Sequence, residues 1–260
     1  MVARIGRWFI DRMSDAAYAL GFFFQTLRES ALFLVGVRRE NAGKVLVAQI
    51  LYTGVNAVSI IALVGAAIGA VIIVEGLSIL PQFGQGSLLY TILVLVITRE
   101  LGPLLTAFII IARSATAIAT ELGHMVVSHE IEAYVSVGID PIAYLVVPRF
   151  LGVTISMVVL NVYFNFSGLI ASFLFTQLIK PIQFAEYFRN LLHALQPVDA
   201  ISSLVKSVVF GAIIATVATH QGFRVKTSTT EVPVVAIRAV GQGFVLCFIA
   251  NAVITLISYL

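Results

Sequence analysis

Residues 88–112 read LLYTILVLVITRELGPLLTAFIIIA, and only Arg99 and Glu100 in that run carry charge. A helix that crosses a bilayer needs about 20 predominantly apolar residues. The run is long enough, and it lacks the polar/apolar alternation of a barrel strand. Four more runs share its character. Val45–Val74 and Phe150–Ile179 are each uncharged over 30 residues, Ser207–Phe223 is shorter, and Ala239–Leu260 is uncharged to its end. The whole chain has 260 residues, of which 60% are hydrophobic and 11% charged, with a mean hydropathy of +1.03. Ordinary soluble domains carry about 25% charged residues, so a soluble globular fold is excluded. Disorder is excluded too, because disordered chains are poor in Leu, Ile, Val and Phe. The lone Cys247 rules out a disulfide framework or a Cys-rich metal site. The sequence therefore predicts an all-α polytopic membrane protein. Its five transmembrane helices are expected at about 48–74, 88–112, 150–176, 202–222 and 239–259.

Lys and Arg in the connections set an orientation. The segment before span one, the connection between spans two and three, and that between four and five hold 12 of them. The other two connections hold 2, Lys180 and Arg189. The N-terminus is accordingly expected in the cytoplasm and the C-terminus outside. The net charge of +3 reflects this asymmetry, and nothing in it calls for nucleic acid. Residues 1–44 do not resemble a cleaved leader, since Asp11 and Asp15 precede the apolar stretch Ala16–Phe24 and no A-x-A site follows. Trp8, Phe9, Phe22, Phe23, Phe24, Leu27, Leu32 and Phe33 are mixed with Arg and Glu, the composition of one or two helices lying in the cytoplasmic interface.

Arg99–Glu100 is the most informative pair. By these boundaries it lies near the middle of span two, where a lone charge costs about 2.5–3.5 kcal/mol on insertion scales. Adjacent residues on a helix do not face each other, so each charge needs its own partner or water. Pro103 follows and frees carbonyls one turn back. The pair either lines a polar cavity or bend beside a substrate path, or belongs to a buried network that fixes helix packing. Lys206, Arg238 and Asn251 are candidates to reach the same region. Taken singly, Lys206 at the outer end of span four and Arg238 at the inner end of span five read as interface snorkelling. Small residues at Gly65 and Gly69, and at Ala115, Ala119 and Gly123, mark places where helix backbones can approach closely.

The connection from Arg113 to Arg149 is too long for a bare loop. Ser128–Val137 reads as a short helix with Ser128 as N-cap and Gly138 as its stop, and Asp140 and Pro141 then open another helix. The short helix carries His129, Glu130 and Glu132 beside Ile131 and Tyr134. It is either a plain surface helix or a rigid knob on which a partner docks. No G-x-x-x-x-G-K-[ST] is present, so the chain has no P-loop for ATP. His129–Glu130 does not complete H-E-x-x-H, because residue 133 is Ala, and the other histidines are scattered. A membrane enzyme is disfavoured.

Arg99-Glu100-Leu101-Gly102-Pro103, Ala112-Arg113-Ser114 and Ala119-Thr120-Glu121-Leu122-Gly123 together resemble the MlaE/YrbE family of ABC-transporter permeases. Glu130-Ile131-Glu132-Ala133, Gly138-Ile139-Asp140-Pro141, Val147-Pro148-Arg149 and Lys206-Ser207-Val208-Val209-Phe210 continue the resemblance in the same order. It covers most of residues 45–260, which would form the permease domain, with residues 1–44 as interfacial helices. The resemblance implies a homodimeric permease of the bacterial inner membrane that moves phospholipid between the inner and outer membranes. It implies no cofactor in this chain, with ATP and Mg on a separate ABC ATPase subunit. The short helix at about 128–137, with Ser128, His129, Glu130, Glu132 and Tyr134, would be the coupling helix that meets that ATPase. An MCE-domain ring on the outer face is a further expected partner, and a STAS-type subunit on the ATPase is compatible with the pattern. Arg99, Glu100, Leu101, Ala66, Lys206, Arg238 and Asn251 are the residues expected at the lipid cavity. Some members have an acid where this chain has Asn251. Many also have Thr-Glu-Glu or Thr-Glu-Gln where it has Ser128-His129-Glu130.

Two other readings stay open. An ion-coupled secondary transporter or channel would use buried Glu100 as its proton or cation site, although no internal repeat is evident. A non-transporting anchor for a lipid-binding ring would need no substrate path.

Overall fold

A computed structural model describes residues 2–36, 43–80, 88–226 and 228–259, with side chains from 17 to 258. All regular elements among them are helical. Five passages are long and apolar enough to cross a membrane: Gly43–Ile79, Leu88–Val127, Ile142–Ile179, Pro197–Gly222 and Thr229–Ser258. All five were anticipated, and all run beyond the bounds that the charges suggest. Span two shows why. Arg113 was expected to begin a cytoplasmic connection, helix-compatible as far as Gly123; the helix in fact runs on from the span through Arg113 to Val127. A charge ends an apolar run, but it does not end a helix whose backbone stays hydrogen-bonded.

Two of the spans are interrupted. Span one consists of α2 (Gly43–Thr53), a 3₁₀ turn at Val55–Ala57, and α3 (Val58–Ile79). Span two consists of α4 (Leu88–Val94), a π-helical stretch Leu95–Leu101, α5 (Gly102–Ile110), a second π stretch Ile111–Ala115, and α6 (Thr116–Val127). The short α7 (Glu130–Ser136) follows. Span three is mostly α8 (Val147–Ile179), entered through π-helical Ile142–Val146. Then come α9 (Phe184–Ala194), α10 (Pro197–Gly222) and α11 (Val232–Tyr259).

Span three is the most buried of the five and span five the least. The most extensive packing joins α3 to α8. Lipid tails are as apolar as Leu, so helices in a bilayer gain little by hiding apolar surface and gain more by close backbone approach. Gly65 and Gly69 supply that approach. A Cβ on Gly69 would strike the Gly168 carbonyl, and one on Gly65 would collide with Ser167 and the Phe164 carbonyl. The second small-residue row works in the same way: Gly222 of α10 packs on Ala119 and Leu122 of α6.

The two ends of the bundle differ. At the α7 end lies α1 (Val2–Leu34), a single helix where one or two were expected. Phe22 packs on the rings of His220 and Phe223, and Phe23 on Phe150. Tyr18, Leu20, Phe24 and Leu27 remain exposed, as on a helix lying in a membrane surface. The side chains of Trp8 and Phe9 fall outside the described residues.

At the opposite end α9 covers the helices, within the stretch that hydropathy assigns to the connection between spans three and four. Its apolar residues Phe184, Tyr187, Phe188 and Leu191 follow i, i+3, i+4, i+7 spacing. Tyr187 is fully buried against Tyr90 and Phe173, and its hydroxyl shares a 2.7 Å hydrogen bond with Ser172. Burial pushes that phenol up to about 12, so it stays neutral and pins α9 to span three.

Candidate functional site: a charged network among spans two, four and five

Pro103 has no N–H, so the carbonyl of Arg99, four residues earlier, loses its α-helical donor. The chain is already π-helical there, with Gly102 N–H bonded to the Ile97 carbonyl. Lys206 of α10 meets the freed group, donating from Nζ to the Arg99 carbonyl at 2.9 Å and to Glu100 Oε2 at 2.8 Å. Asn251 Nδ2 donates to the same carboxylate at 3.3 Å, and Thr255 Oγ1 donates to its Oε1 at 3.2 Å. Arg99 keeps its Nε 3.9 Å from Glu100 Oε1 and extends its Nη atoms the other way. Its Nη1 lies 3.5 Å from Asp199 Oδ1 and its Nη2 lies 3.5 Å from the Ser258 carbonyl. Side-chain exposure is 0% for Lys206, 8% for Arg99, 10% for Asp199 and 25% for Glu100. Glu100 is therefore the most accessible of the four charged members. Two cations and two anions balance, as a buried ionic group requires.

Three sequence candidates, Glu100, Lys206 and Asn251, converge with Arg99. Lys206 is not a snorkelling residue. It lies nine residues, about 14 Å, inside α10 and is fully buried. The helix α10 is about 39 Å long, so it overhangs a 30 Å hydrocarbon core by about 5 Å at each end. With α10 upright and centred in the bilayer, that places Glu100–Lys206 about 9 Å inside the core on the α9 side. Arg99, level with Asp199 in the first turn of α10, stretches to the edge of the core. The pair is thus not midway through span two, because the span begins at the bundle's α9 end and continues well past Ala112. Leu101 and Ala66 are half-buried. Arg238 does not join the network. It is exposed and lies 13 residues, about 20 Å, along α11 from Asn251.

Several members went unnoticed in sequence. Asp199, Ser202, Ser203 and Lys206 form an i, i+3, i+4, i+7 polar stripe, and all four are buried. Asn251, Thr255 and Ser258 form the matching stripe on α11. Such spacing puts each set on one helix face. Asp199 also caps its own helix, because Oδ2 accepts the Gln196 N–H at 3.1 Å. Asn161 Nδ2 extends the network into span three through Ser203 Oγ at 2.9 Å. No cluster of three His, Cys, Asp or Glu that could hold a metal occurs among the described residues.

The short helix α7 is the second candidate surface. Ser128 is not its N-cap. Ser128 closes α6, and His129 precedes α7 in the left-handed region at φ 58°. Two chain directions meet in one residue there, and no side chain caps α7. The stop was read correctly: Ile139 N–H bonds to the Tyr134 carbonyl and Gly138 N–H to that of Val135, with Gly138 at φ 80°. Asp140 Oδ1 then caps the next helix through the Ile142 N–H at 3.0 Å, ahead of Pro141 as expected. Tyr134 leans on Tyr144, with ring centroids 5.4 Å apart. His129, Glu130, Glu132, Val135 and Val137 are all exposed.

The family model described as "Permease MlaE" matches residues 46–257. The chain belongs to the MlaE permease family. A probable ABC transporter permease protein of Rickettsia felis is 30% identical over 210 residues, covering 81% of each chain. One from Synechocystis sp. is 28% identical over 251 residues, covering 92% of this chain and 94% of the other. The intermembrane phospholipid transport system permease protein MlaE of Haemophilus influenzae is 27% identical over 207 residues, covering 77% of this chain and 79% of the other. The protein is a multi-pass permease subunit, in agreement with the resemblance drawn from its motifs.

Proposed function

We propose that the chain moves phospholipids between two bacterial membranes as the permease subunit of an ABC transporter. In this reading residues 45–260 form the permease domain in the inner membrane, and residues 1–44 attach it to the cytoplasmic interface. The α7 end faces the cytoplasm and the C-terminus faces the periplasm. Two copies pair and enclose a cavity between spans one, two and five, in which Leu101 and Ala66 contact acyl chains. A separate ATPase holds ATP and Mg and engages Ser128, His129, Glu130, Glu132 and Tyr134. An MCE-type ring receives the lipid on the outer side, and a STAS-type subunit can sit on the ATPase.

The observation that carries the reading is the partly accessible Glu100 beside two buried cations. A zwitterionic or anionic head group carries a phosphate that the positive field of Arg99 and Lys206 would attract. The largely exposed apolar face of α11 suits acyl chains or a second copy. ATP-driven closure of the partner would press on α7 and reshape the helices, whose two π stretches in span two are places of easy change.

The test is lipid transfer by the reconstituted permease–ATPase complex. Transfer should require ATP and fall at least tenfold in Glu100→Ala with the complex still assembled. Full transfer on an ion gradient without the ATPase would instead establish the ion-coupled reading. Normal transfer in Glu100→Ala would remove the network from the substrate path.

A further inference from the structure

Arg113 is the other cation inside span two, and the network does not use it. Ala119 packs on Gly222 at the α7 end of α10, and Arg113 lies six residues, about 9 Å, further into the bundle. With the overhang of α10 at about 5 Å, the Arg113 backbone sits only some 5 Å inside that edge of the hydrocarbon core. Its side chain is half-buried, and no carboxylate lies within ion-pair distance of it among the described residues.

One partner is in place. Arg113 Nη1 donates to the carbonyl of Asn56. That carbonyl is available because span one leaves the α-helix between Thr53 and Val58. The second π stretch, Ile111–Ala115, presents the guanidinium at the same level. Val55, Asn56 and Ala112 around it are exposed. The half-exposed face of span two, through Leu101, Leu105, Phe108 and Ala112, therefore has a cation near each end. Arg99 lies at the α9 end and Arg113 at the α7 end.

We infer that Arg113, held on the Asn56 carbonyl, is a second phosphate-binding station that receives phospholipid from the cytoplasmic leaflet. The inference rests on the phospholipid reading and extends it to a second, separate site. A guanidinium with one N–H engaged keeps a fork of donors for a phosphate oxygen pair. At this depth the phosphate layer is within snorkelling distance. Among the described residues no carboxylate of this chain neutralises the guanidinium, and a lipid phosphate can supply the anion.

The experiment places a photo-crosslinking residue at Ala112 or at Leu101 in the full permease–ATPase complex. The complex is reconstituted in vesicles of phosphatidylethanolamine and phosphatidylglycerol with labelled phosphate. Lipid adducts are expected at both positions. Arg113→Gln should lower the Ala112 adduct at least fivefold and leave the Leu101 adduct unchanged, while Arg113→Lys should retain most of it. A lipid adduct at Leu101 with none at Ala112, in the chain with Arg113 intact, would overturn the second station alone. A crosslink from Ala112 solely to another copy of the chain would do the same. Absence of lipid at both positions would defeat the phospholipid reading as well.

Discussion

Two side-chain contacts to a glutamate sit at nearly the same separation in this molecule. Lys206 and Glu100 meet at 2.8 Å, and His129 and Glu132 meet at 3.0 Å. The first pair joins spans two and four, with the lysine fully buried. The second spans one turn of α7, with both side chains more than 70% exposed. Distance says nothing about their difference; the medium does. Removing one partner of a buried pair leaves an uncompensated charge and costs about 3–5 kcal/mol. An exposed pair is screened and contributes between about 0 and 1 kcal/mol. The buried pair holds the helices in register, and the exposed one leaves its surface free for a partner.

The largest effect should come from Lys206→Met. It takes from Glu100 its shortest ion pair and frees the Arg99 carbonyl, and thermal unfolding in detergent should report a loss of about 3 kcal/mol. Adding Glu100→Gln should restore much of the loss, because the poorly paired charge is gone. If the double variant were as unstable as the single one, the pair would not act as a unit. Asp199→Ala should cost less, about 1–2 kcal/mol, from the lost cap on α10 and the loosened Arg99 contact. Asp199→Asn keeps the capping acceptor, so comparing the two variants separates the roles. At the exposed end, Glu130→Lys and Glu132→Lys should change stability by no more than about 0.5 kcal/mol. Both should nonetheless abolish coupled ATP hydrolysis. Unchanged ATPase binding and lipid transfer in both would show α7 to be a plain surface helix.

How much of this was legible in the sequence differs by region. The five spans follow from apolar run length, which lipid imposes directly. Their ends do not, because Arg113 interrupts hydropathy without interrupting the helix. The importance of Arg99–Glu100 could be read from their cost in lipid, but their partners could not. Asp199 was overlooked because it stands next to Gln196 and Pro197, where an acid reads as a helix start. It is that start and also the counter-ion. Lys206 was misread because the estimated span began at 202, whereas the Gln196–Asp199 capping box begins the helix five residues earlier. The left-handed His129 left only a weak sequence signal, since His shares with Asn and Asp a raised tolerance of that conformation but is more often found elsewhere. The helix α9 did leave one, in the spacing of Phe184, Tyr187, Phe188 and Leu191.

The bond between Lys206 and Glu100 bridges 106 residues of chain. A ribosome adding about 5–20 residues per second delivers the lysine some 5–20 s after the glutamate has emerged. A newborn second span would therefore reach the translocon with Glu100 paired only to its neighbour Arg99, at 3.9 Å, before the lysine that completes the site is synthesised. Full pairing of the carboxylate waits for the fourth span, so the order of biogenesis is written into the network.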